Sequence, residues 1–407
     1  RSGQQVCVIS LFDVTEGNPY LKSRGQQEAA LRREGAEVVV IEYAMEALTG
    51  ARSHDPLAKF GRWIGRICSA PDGLAYLMPW VKLAEGVRRA LAGREFDGFL
   101  CYHFDALAAV HPLCLSPMLA VVGDLWHLPG YFRWREGSFS LSKYAVRGIR
   151  VALESMIAER AMSTLLASTT SCGAFAGHYA EWLKAHGFPK TLYFRTPVPD
   201  AAGPKWDLLR SEARAGRTGG KHRVLVIGDL ATTSTSSGLR AVAHAVLPRL
   251  VDEFGEDGFD LRLVGGGAPP NDIAPALRKP YVYFAGRVVP ADPEFLAADV
   301  MIVPTNIPLG IRVRVITAWS FGCPVVAHRA NASGIPEMRH GENSLLADTD
   351  AQLVDAVLRV LTDHTLRSGL SAGGRGTFER SFSESVAGQQ IVKEMERLAG
   401  AQATNRS

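Results

Sequence analysis

The stretch PTNIPLGIRVRVITAWSFGCPVVAHRANASGIPEMRHGENSLLAD, residues 304–348, decides the fold. It follows an apolar run at Val300–Val303 and contains a turn bounded by proline and glycine, a helix-like segment at 315–321, a stop at Gly322 and a β-rich run at 324–327. This order predicts strand, turn, helix and parallel strand. The turn and the helix N-terminus then lie at the carboxyl ends of the strands, where backbone N–H groups and the helix dipole favour phosphate.

Length and composition indicate a globular protein of two domains. A chain of 407 residues exceeds what one core usually supports, and 47% hydrophobic with 21% charged residues is typical of globular chains. No apolar run reaches about 18 residues, so no membrane-spanning helix is expected and the location is predicted to be cytoplasmic. The six cysteines lie far apart without C-x-x-C spacing, which predicts neither a zinc site nor a disulfide framework. A net charge of +4 is too small to indicate nucleic-acid binding.

Strand-like and helix-like segments alternate in both halves of the chain. A β-α-β pattern opens the sequence, with strands at residues 6–11 and 38–41 around a helix at 25–35, and the β pattern restarts at residue 224. Such alternation predicts doubly wound parallel sheets with right-handed crossovers. The predicted domains are residues 1–200, completed by a C-terminal helix at 383–400, and residues 223–382. The Gly-, Ala- and charge-rich residues 201–222 form the predicted linker.

The quoted stretch resembles the donor-site segment of GT-B-fold glycosyltransferases of the retaining family 4 kind. In that family the segment carries glycine, two cationic residues, alanine, a Gly-x-Pro-Val-Val run, a Gly-x-Pro-Glu turn and a Gly-Glu-Asn run. The matching residues here are Gly310, Arg312, Arg314, Ala318, Gly322, Pro324, Gly334, Pro336, Glu337, Gly341, Glu342 and Asn343. The resemblance covers nearly the whole chain and is strongest at residues 224–382. It implies an α/β fold of two Rossmann-like domains facing a central cleft.

The resemblance also implies a reaction. A sugar would pass from a nucleotide-diphosphate sugar to a hydroxyl acceptor with retention at the anomeric carbon, in bacterial cell-surface polysaccharide or glycolipid synthesis. The donor is then a substrate, so neither a resident cofactor nor a metal is expected. Guanidinium groups bind diphosphates well, which makes Arg312 and Arg314 the expected donor clamp. A hydroxyl-rich loop before a helix at residues 239–250, three glycine turns and one further arginine are the other expected donor contacts: Ser236, Ser237, Gly238, Gly310, Gly286, Gly17 and Arg287.

Polar residues follow two predicted strands of the N-terminal half. His103 comes after the strand at residues 96–101, and Asp124 and His127 come after Met118–Val122. In the resembled family a histidine of this domain contacts the donor sugar near the scissile bond. His127 is therefore the first catalytic candidate and His103 the second, with Asp124 as a neighbour. Ordinary structural histidines would fit the same pattern.

The sequence departs from the family at four positions. Asp229 and Ser237 stand where the family has an arginine and a lysine on the donor diphosphate. The positions of two usual glutamates fall on Leu309 and Thr317. Three functions therefore stay open: a glycosyltransferase, a non-hydrolysing sugar-nucleotide epimerase with His103, His127 or Glu337 as acid and base, and a non-catalytic protein that retains the GT-B shape.

Two segments combine basic and aromatic side chains. Residues 56–92 interleave lysines and arginines with tryptophan, tyrosine and phenylalanine, and residues 131–150 carry five basic residues against one acid, Glu136. Such segments favour contact with an anionic membrane surface, and hence a peripheral position at the inner membrane with a saccharide or lipid-linked acceptor. Helices packed on the core with a solvated basic face are the alternative.

Overall fold

The structure, a computed structural model, describes residues 5–15, 24–44, 61, 64–65, 78–135 and 141–406. Gly17 and most of the basic-aromatic segment 56–92 lie outside these residues. None of the helices in the described ranges is both long enough and apolar enough to span a bilayer.

The first half of the chain alternates short strands with helices. Its strands are β1 Cys7–Asp13, β2 Glu37–Tyr43, β3 Phe99–Tyr102, β4 Met118–Val122, β5 Ser171–Ala174 and β6 Leu192–Tyr193. Its helices are α1 Arg24–Arg33, α2 Met78–Val81, α3 Ala84–Leu91, α4 Phe104–Val110, α5 Leu128–Arg135, α6 Leu141–Ala167 and α7 Gly177–Ala185. The strands pair in parallel, β1 with β2, β3 with β4 and β5 with β6.

The second half builds one six-stranded sheet. Its strands are β7 His222–Ile227, β8 Phe259–Val264, β9 Val282–Gly286, β10 Val300–Val303, β11 Val325–His328 and β12 Leu345–Ala347. Its helices are α8 Trp206–Ala215, α9 Thr233–Ala241, α10 Leu247–Phe254, α11 Ala274–Leu277, α12 Asp292–Ala297, α13 Val313–Ser320, α14 Asp350–Thr362, α15 His364–Ser381 and α16 Glu384–Arg406. The parallel order is β12-β11-β10-β7-β8-β9, so the connections run outward in both directions from the β7–β10 pair.

The described residues fall into two compact units. One lies within Arg1–His127, Leu141–Cys172 and Met395–Ser407, and the other within Leu128–Ser140 and Gly173–Glu394. The predicted α/β class with parallel sheets is confirmed. The domain boundaries given by the sequence stay a prediction.

Alternate residues of each central strand pack on opposite faces of the six-stranded sheet. Val224 and Val226 join the cluster formed with α9, α10 and α14, whereas Leu225 joins the cluster around Trp319 of α13 and Phe378 of α15. Parallel sheets covered by helices on both faces bury nearly every strand residue, which explains the continuous apolar runs in the sequence.

Two helix positions differ from the expectation. The segment Thr232–Gly238 was predicted as a loop, but α9 already begins at Thr233, so Ser236, Ser237 and Gly238 lie inside it. Thr and Ser have low helix propensity, and tertiary packing overrides it because Thr235, Gly238 and Leu239 are all buried. The predicted linker also contains a helix, α8.

Helix α9 approaches the backbone at the end of β10 very closely at Gly238. A Cβ atom built on Gly238 would lie 2.2 Å from the carbonyl carbon and oxygen of Pro304. Backbone atoms cannot rotate away as a side chain can, so this position requires glycine for steric reasons.

We expect Gly238→Ala to lower the free energy of unfolding by about 1–3 kcal/mol, because it overpacks a contact with backbone. Gly369→Ala is the matched control, since Gly369 lies in α15 with no atom within 4 Å of its built Cβ. That control should stabilise the protein by about 0.4–1 kcal/mol through helix propensity and chain entropy. Urea unfolding measures both, and a neutral Gly238→Ala would contradict the close packing.

Candidate functional site

The candidate site lies where the order of the six-stranded sheet reverses. Strands β7 and β10 are neighbours in the sheet, paired at Val300–Val224 and Met301–Leu225. Connections leave them in opposite directions, so a crevice opens beyond their carboxyl ends, and ligands of doubly wound sheets bind at this position. The residues just past these ends, Gly228 after β7 and Thr305 after β10, therefore mark the site.

A row of glycines ends the three strands on one side of this point. The N–H of Gly228 donates to Val264 O at 2.8 Å, and the N–H of Gly265 donates to Gly286 O at 2.7 Å. A Cβ atom on Gly265 would lie 2.0 Å from Gly228 O, and Gly228 and Gly265 both have φ of +145°. The strand ends can therefore lie side by side only without side chains, which leaves backbone exposed to a ligand.

The N-terminus of α9 points to the same place. Thr232 is the N-cap residue in an extended conformation, and the N–H groups of Thr235 and Ser236 donate to its carbonyl oxygen. In the described chain the N–H groups of Thr233 and Ser234 have no backbone acceptor. Unpaired N–H groups at a helix start, with the positive end of the helix dipole, attract anions.

Arg314 joins the two central strand ends to α9. Its Nη1 donates to Ile227 O at 2.7 Å and to Thr235 Oγ1 at 3.1 Å, and its Nη2 donates to Thr305 Oγ1 at 3.1 Å. The guanidinium lies so close to β7 that a Cβ atom on Gly228 would be 2.0 Å from Nη1. Arg314 sits in the first turn of α13, which directs its side chain across the switch point.

The charge of Arg314 has no described counterion. Its hydrogen-bond acceptors within the described residues are one carbonyl and two hydroxyl oxygens, all uncharged. Burial, with a smaller effect of Arg312, lowers the pKa of Arg314 to about 9. The group is still protonated near neutral pH, so the site holds a half-buried positive charge that an anion would stabilise.

Arg312 has a different environment. It is buried as the N-cap residue of α13, and its guanidinium donates to the carbonyl oxygens of Leu309 and Ile307. These bonds hold the turn that precedes the helix. Its charge still acts on Arg314, since it contributes to the lowered pKa of that group.

A tyrosine from α7 fixes the same turn. The N–H of Gly310, which has φ of +70°, donates to the hydroxyl of buried Tyr179 at 2.6 Å. Two residues earlier in α7, the N–H of Gly177 donates to Gly334 O at 3.1 Å, and a Cβ atom on Gly177 would lie 2.5 Å from the Pro336 side chain. Helix α7 thus braces both the arginine turn and the Gly-x-Pro-Glu turn.

Three of the four positions at which the sequence departs from the family add no charged group to the two arginines. These positions are Leu309, Thr317 and Asp229. Leu309 is buried with Phe132 of α5 and Ile307. The Thr317 hydroxyl donates to Val313 O of its own helix at 3.1 Å. Exposed Asp229 accepts from the Ala231 N–H at 3.0 Å and so folds its carboxylate back on the loop.

Of the other predicted donor residues, those that the structure describes lie at the same edge of the sheet. Ser236 and Ser237 follow the first residues of α9, and the Oγ of Ser237 is buried without a hydrogen-bond partner in the described chain. Gly286 and Arg287 are exposed at the end of β9. The sequence analysis did not identify Thr235 and Thr305 as hydrogen-bond acceptors of Arg314, although Thr305 is the second residue after β10.

The histidine candidates belong to the other unit, beyond β3 and β4. His103 has φ of +70° and its ring lies against Gly123, where a Cβ atom would be 2.0 Å from Nδ1. Desolvation lowers the pKa of His103, and neighbouring Asp124 opposes that shift. His127 is largely buried, with Nε2 3.9 Å from Glu159 Oε1. The structure thus brings His103 and Asp124 together, as their positions after adjacent strands predict.

A further carboxyl group lies at this edge. Burial raises the pKa of Asp105 to about 6, and a hydrogen bond from the Trp126 side chain partly offsets that shift. Nearby Tyr43, at the end of β2, has a pKa raised to about 12, chiefly by burial and then by Asp13 and Asp105. The sequence signal for Asp105 was its place just after β3.

Comparisons with known proteins agree with this geometry. Residues 221–363, which contain the switch point, match the family model described as glycosyl transferases group 1. None of the curated protein sequences matches the chain. Sucrose-phosphate synthase from Thermosynechococcus elongatus superposes with a TM-score of 0.63 at 18% identity, covering 98% of this chain and 100% of that one.

The fold is GT-B.

Two further GT-B structures align over nearly their full length. Anabaena HepE, in complex with UDP and glucose, gives a TM-score of 0.59 at 14% identity and covers 97% of this chain and 100% of its own. The α,α-trehalose 6-phosphate synthase of Burkholderia multivorans gives 0.61 at 12% identity, covering 99% of each chain. The GT-B fold expected from the sequence is therefore confirmed.

We expect Asp105→Asn to stabilise the protein at pH 7.5 by about 1–3 kcal/mol. The folded-state pKa lies above the unfolded value of 3.8, so the carboxyl's contribution to stability is complete below pH 3.8 and is lost as the pH rises through about 6. The gain of the variant should therefore shrink toward zero near pH 4. Urea unfolding of wild type and variant between pH 4 and pH 7.5 tests this expectation.

Asp355→Asn, at an exposed position of α14, is the control and should leave the wild-type pH dependence in place. A pH-independent gain in Asp105→Asn would contradict the raised pKa.

We expect Tyr179→Phe to lower the free energy of unfolding by about 1–3 kcal/mol, because it leaves the Gly310 N–H without its described acceptor. Tyr131→Phe on exposed Tyr131 of α5 should stay within about 0.5 kcal/mol of wild type. Equal stabilities of the two variants in urea would show that the Tyr179 hydroxyl does not hold the arginine turn.

Proposed function

We propose that this protein is a glycosyltransferase that binds a nucleoside diphosphate sugar at the β7–β10 switch point. The observation that carries the proposal is Arg314, a half-buried guanidinium with uncharged described partners beside the open N-terminus of α9. A diphosphate has the charge and the acceptor oxygens that this arrangement lacks. The match of residues 221–363 to glycosyl transferases group 1 supports the same reaction class.

The chemistry follows from the charge that develops. As the bond between the sugar and the diphosphate breaks, negative charge grows on the departing phosphate oxygens. Arg314, the nearby charge of Arg312 and the first N–H groups of α9 would stabilise that charge, and they are held in place before the reaction. The glycine row lets the phosphates approach the strand ends.

The identity of the donor and the stereochemical outcome are proposed from similarity to other proteins. HepE is described with UDP, with glucose and with UDP-glucose, so UDP and UDP-glucose are the first ligands to test. The resemblance to family 4 adds a hydroxyl acceptor, retention and a role in cell-surface polysaccharide or glycolipid synthesis. The anomeric configuration of the product, read by NMR, tests the retention.

A non-catalytic protein is the second candidate, and a specific observation favours it. Leu309 is packed into an apolar cluster and Thr317 bonds to its own helix, so neither replaces a glutamate of the family. The epimerase is less favoured, because Glu337 is engaged by Arg195 Nε at 2.6 Å and by the Tyr193 hydroxyl at 2.9 Å.

We expect UDP in excess to stabilise the protein by about 2.7 kcal/mol at about 100 times its Kd. Thermal shift against UDP, GDP, dTDP and CMP measures this, and release of nucleotide from the matching nucleotide sugar measures turnover. Arg314→Met should abolish the shift, and Arg314→Lys should keep part of it because the charge remains.

Arg240→Met is the control, since Arg240 lies on the exposed face of the same helix α9 and pairs with Asp272. Its nucleotide response should equal that of wild type. A shift without turnover would favour the non-catalytic candidate. No shift with any nucleotide, or an unchanged shift in Arg314→Met, would overturn the site.

A further inference from the structure

Arginines at and just after the end of α8 converge on one buried carboxylate. Arg210 and Arg214 belong to α8 and Arg217 follows it, at spacings of four and three residues that keep the three side chains on one side. Asp299, whose side chain is 2% exposed, lies 2.8 Å from Arg214 Nη2 and 2.7 Å from Arg217 Nη1. The buried Arg210 donates instead to carbonyl oxygens at the C-terminal end of α12. One carboxylate therefore serves two of these arginines, and the third donates to uncharged acceptors.

A fourth arginine reaches the same place from α15. The Nη1 of Arg367 donates to two carbonyl oxygens of the last turn of α14, at 3.1 and 2.9 Å. Burial lowers the pKa of Arg367, and the charges of Arg214 and Arg217 lower it further, while Asp299 opposes them. Charges influence one another to this extent only at short range, so the guanidinium of Arg367 lies beside those of Arg214 and Arg217.

His222, the first residue of β7, completes this group. Burial lowers its pKa, and the charges of Arg367, Arg217 and Arg214 act in the same direction against Asp299. The backbone joins the strand to the carboxylate as well, because the N–H of Arg223 donates to Asp299 Oδ2 at 2.8 Å. We call the group the Asp299 cluster, and its members are Arg210, Arg214, Arg217, His222, Asp299 and Arg367.

Positive charge is in excess in the Asp299 cluster. Besides Asp299, the described carboxylate that acts on Arg367 is Asp363, which is exposed and caps α15 by accepting from the Leu366 N–H at 2.9 Å. Neighbouring Arg223 is already paired with Asp260 at 2.9 Å. With His222 neutral, the four arginines exceed the two described carboxylates by two charges. A partly buried excess of this kind is costly unless an anion offsets it.

Two of the arginines also hold unused donors. The Nε of Arg214 and the Nε of Arg367 are buried and have no hydrogen-bond partner in the described chain. Arg217 differs, since both of its Nη atoms donate to Asp299 and its Nε donates to Arg214 O at 3.3 Å. Buried donors without an acceptor are rare in native proteins, and a bound ion or water is one way in which they are satisfied. The planar guanidinium fork matches the oxygens of an oxyanion.

The Asp299 cluster is separate from the nucleotide site. His222 and Asp299 stand at the amino ends of β7 and β10, whereas Arg314 crosses the carboxyl ends of the same strands. The five residue steps of β7 place roughly 17 Å between the two edges of the sheet. One small anion cannot reach both, so binding at the two edges is measurable independently.

We propose that Arg214 and Arg367 of the Asp299 cluster bind the oxyanion of a phosphate group, either inorganic phosphate or a phosphate monoester. Its oxygens accept from the two unpaired Nε groups. A phosphate group carries up to about two negative charges near neutral pH, which balances the excess of the cluster, whereas a carboxylate carries one. The proposal does not rest on the glycosyl-transfer reaction.

The experiment titrates the full chain with inorganic phosphate at constant ionic strength, by calorimetry and by thermal shift. The Arg314→Met background removes the phosphate binding expected at the nucleotide site. In this background phosphate should bind saturably and raise the melting temperature. Adding Arg214→Met should weaken phosphate binding at least about ten-fold, because a hydrogen bond to a charged group contributes that much. The Arg214 side chain is 30% exposed and Asp299 keeps Arg217, so this variant should fold.

Arg249→Met is the matched control, since Arg249 is an exposed arginine of α10 in the same unit. Added to the same background, it should leave phosphate binding unchanged. If the Arg314→Met protein does not fold, wild type and Arg214→Met are compared directly. The UDP response of Arg214→Met alone should equal that of wild type, so a failure of the nucleotide site is distinguishable from a failure of this one.

Methyl phosphate separates the two sources of the phosphate group. Binding as tight as that of inorganic phosphate assigns the site to monoesters, and binding of inorganic phosphate alone assigns it to the free ion. Either result supports the proposal. The absence of saturable binding by both probes, or equal phosphate affinities of the Arg214→Met and Arg249→Met proteins, would overturn it.

Discussion

The position of the Arg314 guanidinium between the ends of β7 and β10 is the constraint on which the second unit depends. Its hydrogen bonds reach a strand carbonyl and two threonine hydroxyls from three separate segments. A positive charge at this depth is costly unless every donor is satisfied and an anion is at hand. The guanidinium fits beside β7 because Gly228 has no side chain, and α9 reaches the end of β10 because Gly238 has none.

The fold was predictable because its signals are local. Buried parallel strands appear as continuous apolar runs, and Gly322 ends α13 just before β11. The start of α9 was not predictable by the same means. A run of threonine and serine has weak helix propensity, and only the packing of Thr235 and Gly238 on distant strand ends makes it helical.

The site was predictable in its backbone and less so in its side chains. The motif placed two arginines at one turn, but it could not tell that Arg312 folds back on carbonyl oxygens while Arg314 crosses the switch point. The sequence did not indicate a role for Tyr179. Its hydroxyl accepts a hydrogen bond from the N–H of Gly310, which lies 131 residues further along the chain. Asp105 had a signal in its place after β3, but its raised pKa depends on burial that only the tertiary structure supplies.

The strand order also sets the timing of folding during synthesis. Strand β7 pairs on one side with β8, its neighbour in sequence, and on the other side with β10, where Arg223 and Asp299 meet 76 residues apart. At roughly 5–20 residues per second, several seconds of translation separate the two edges of β7. During that interval the edge of β7 that faces away from β8 has no partner strand. Only β10 can pair with this edge, and β10 is synthesised after β8 and β9. The same reversal of strand order that creates the ligand crevice therefore leaves one edge of β7 unpaired until β10 has been synthesised.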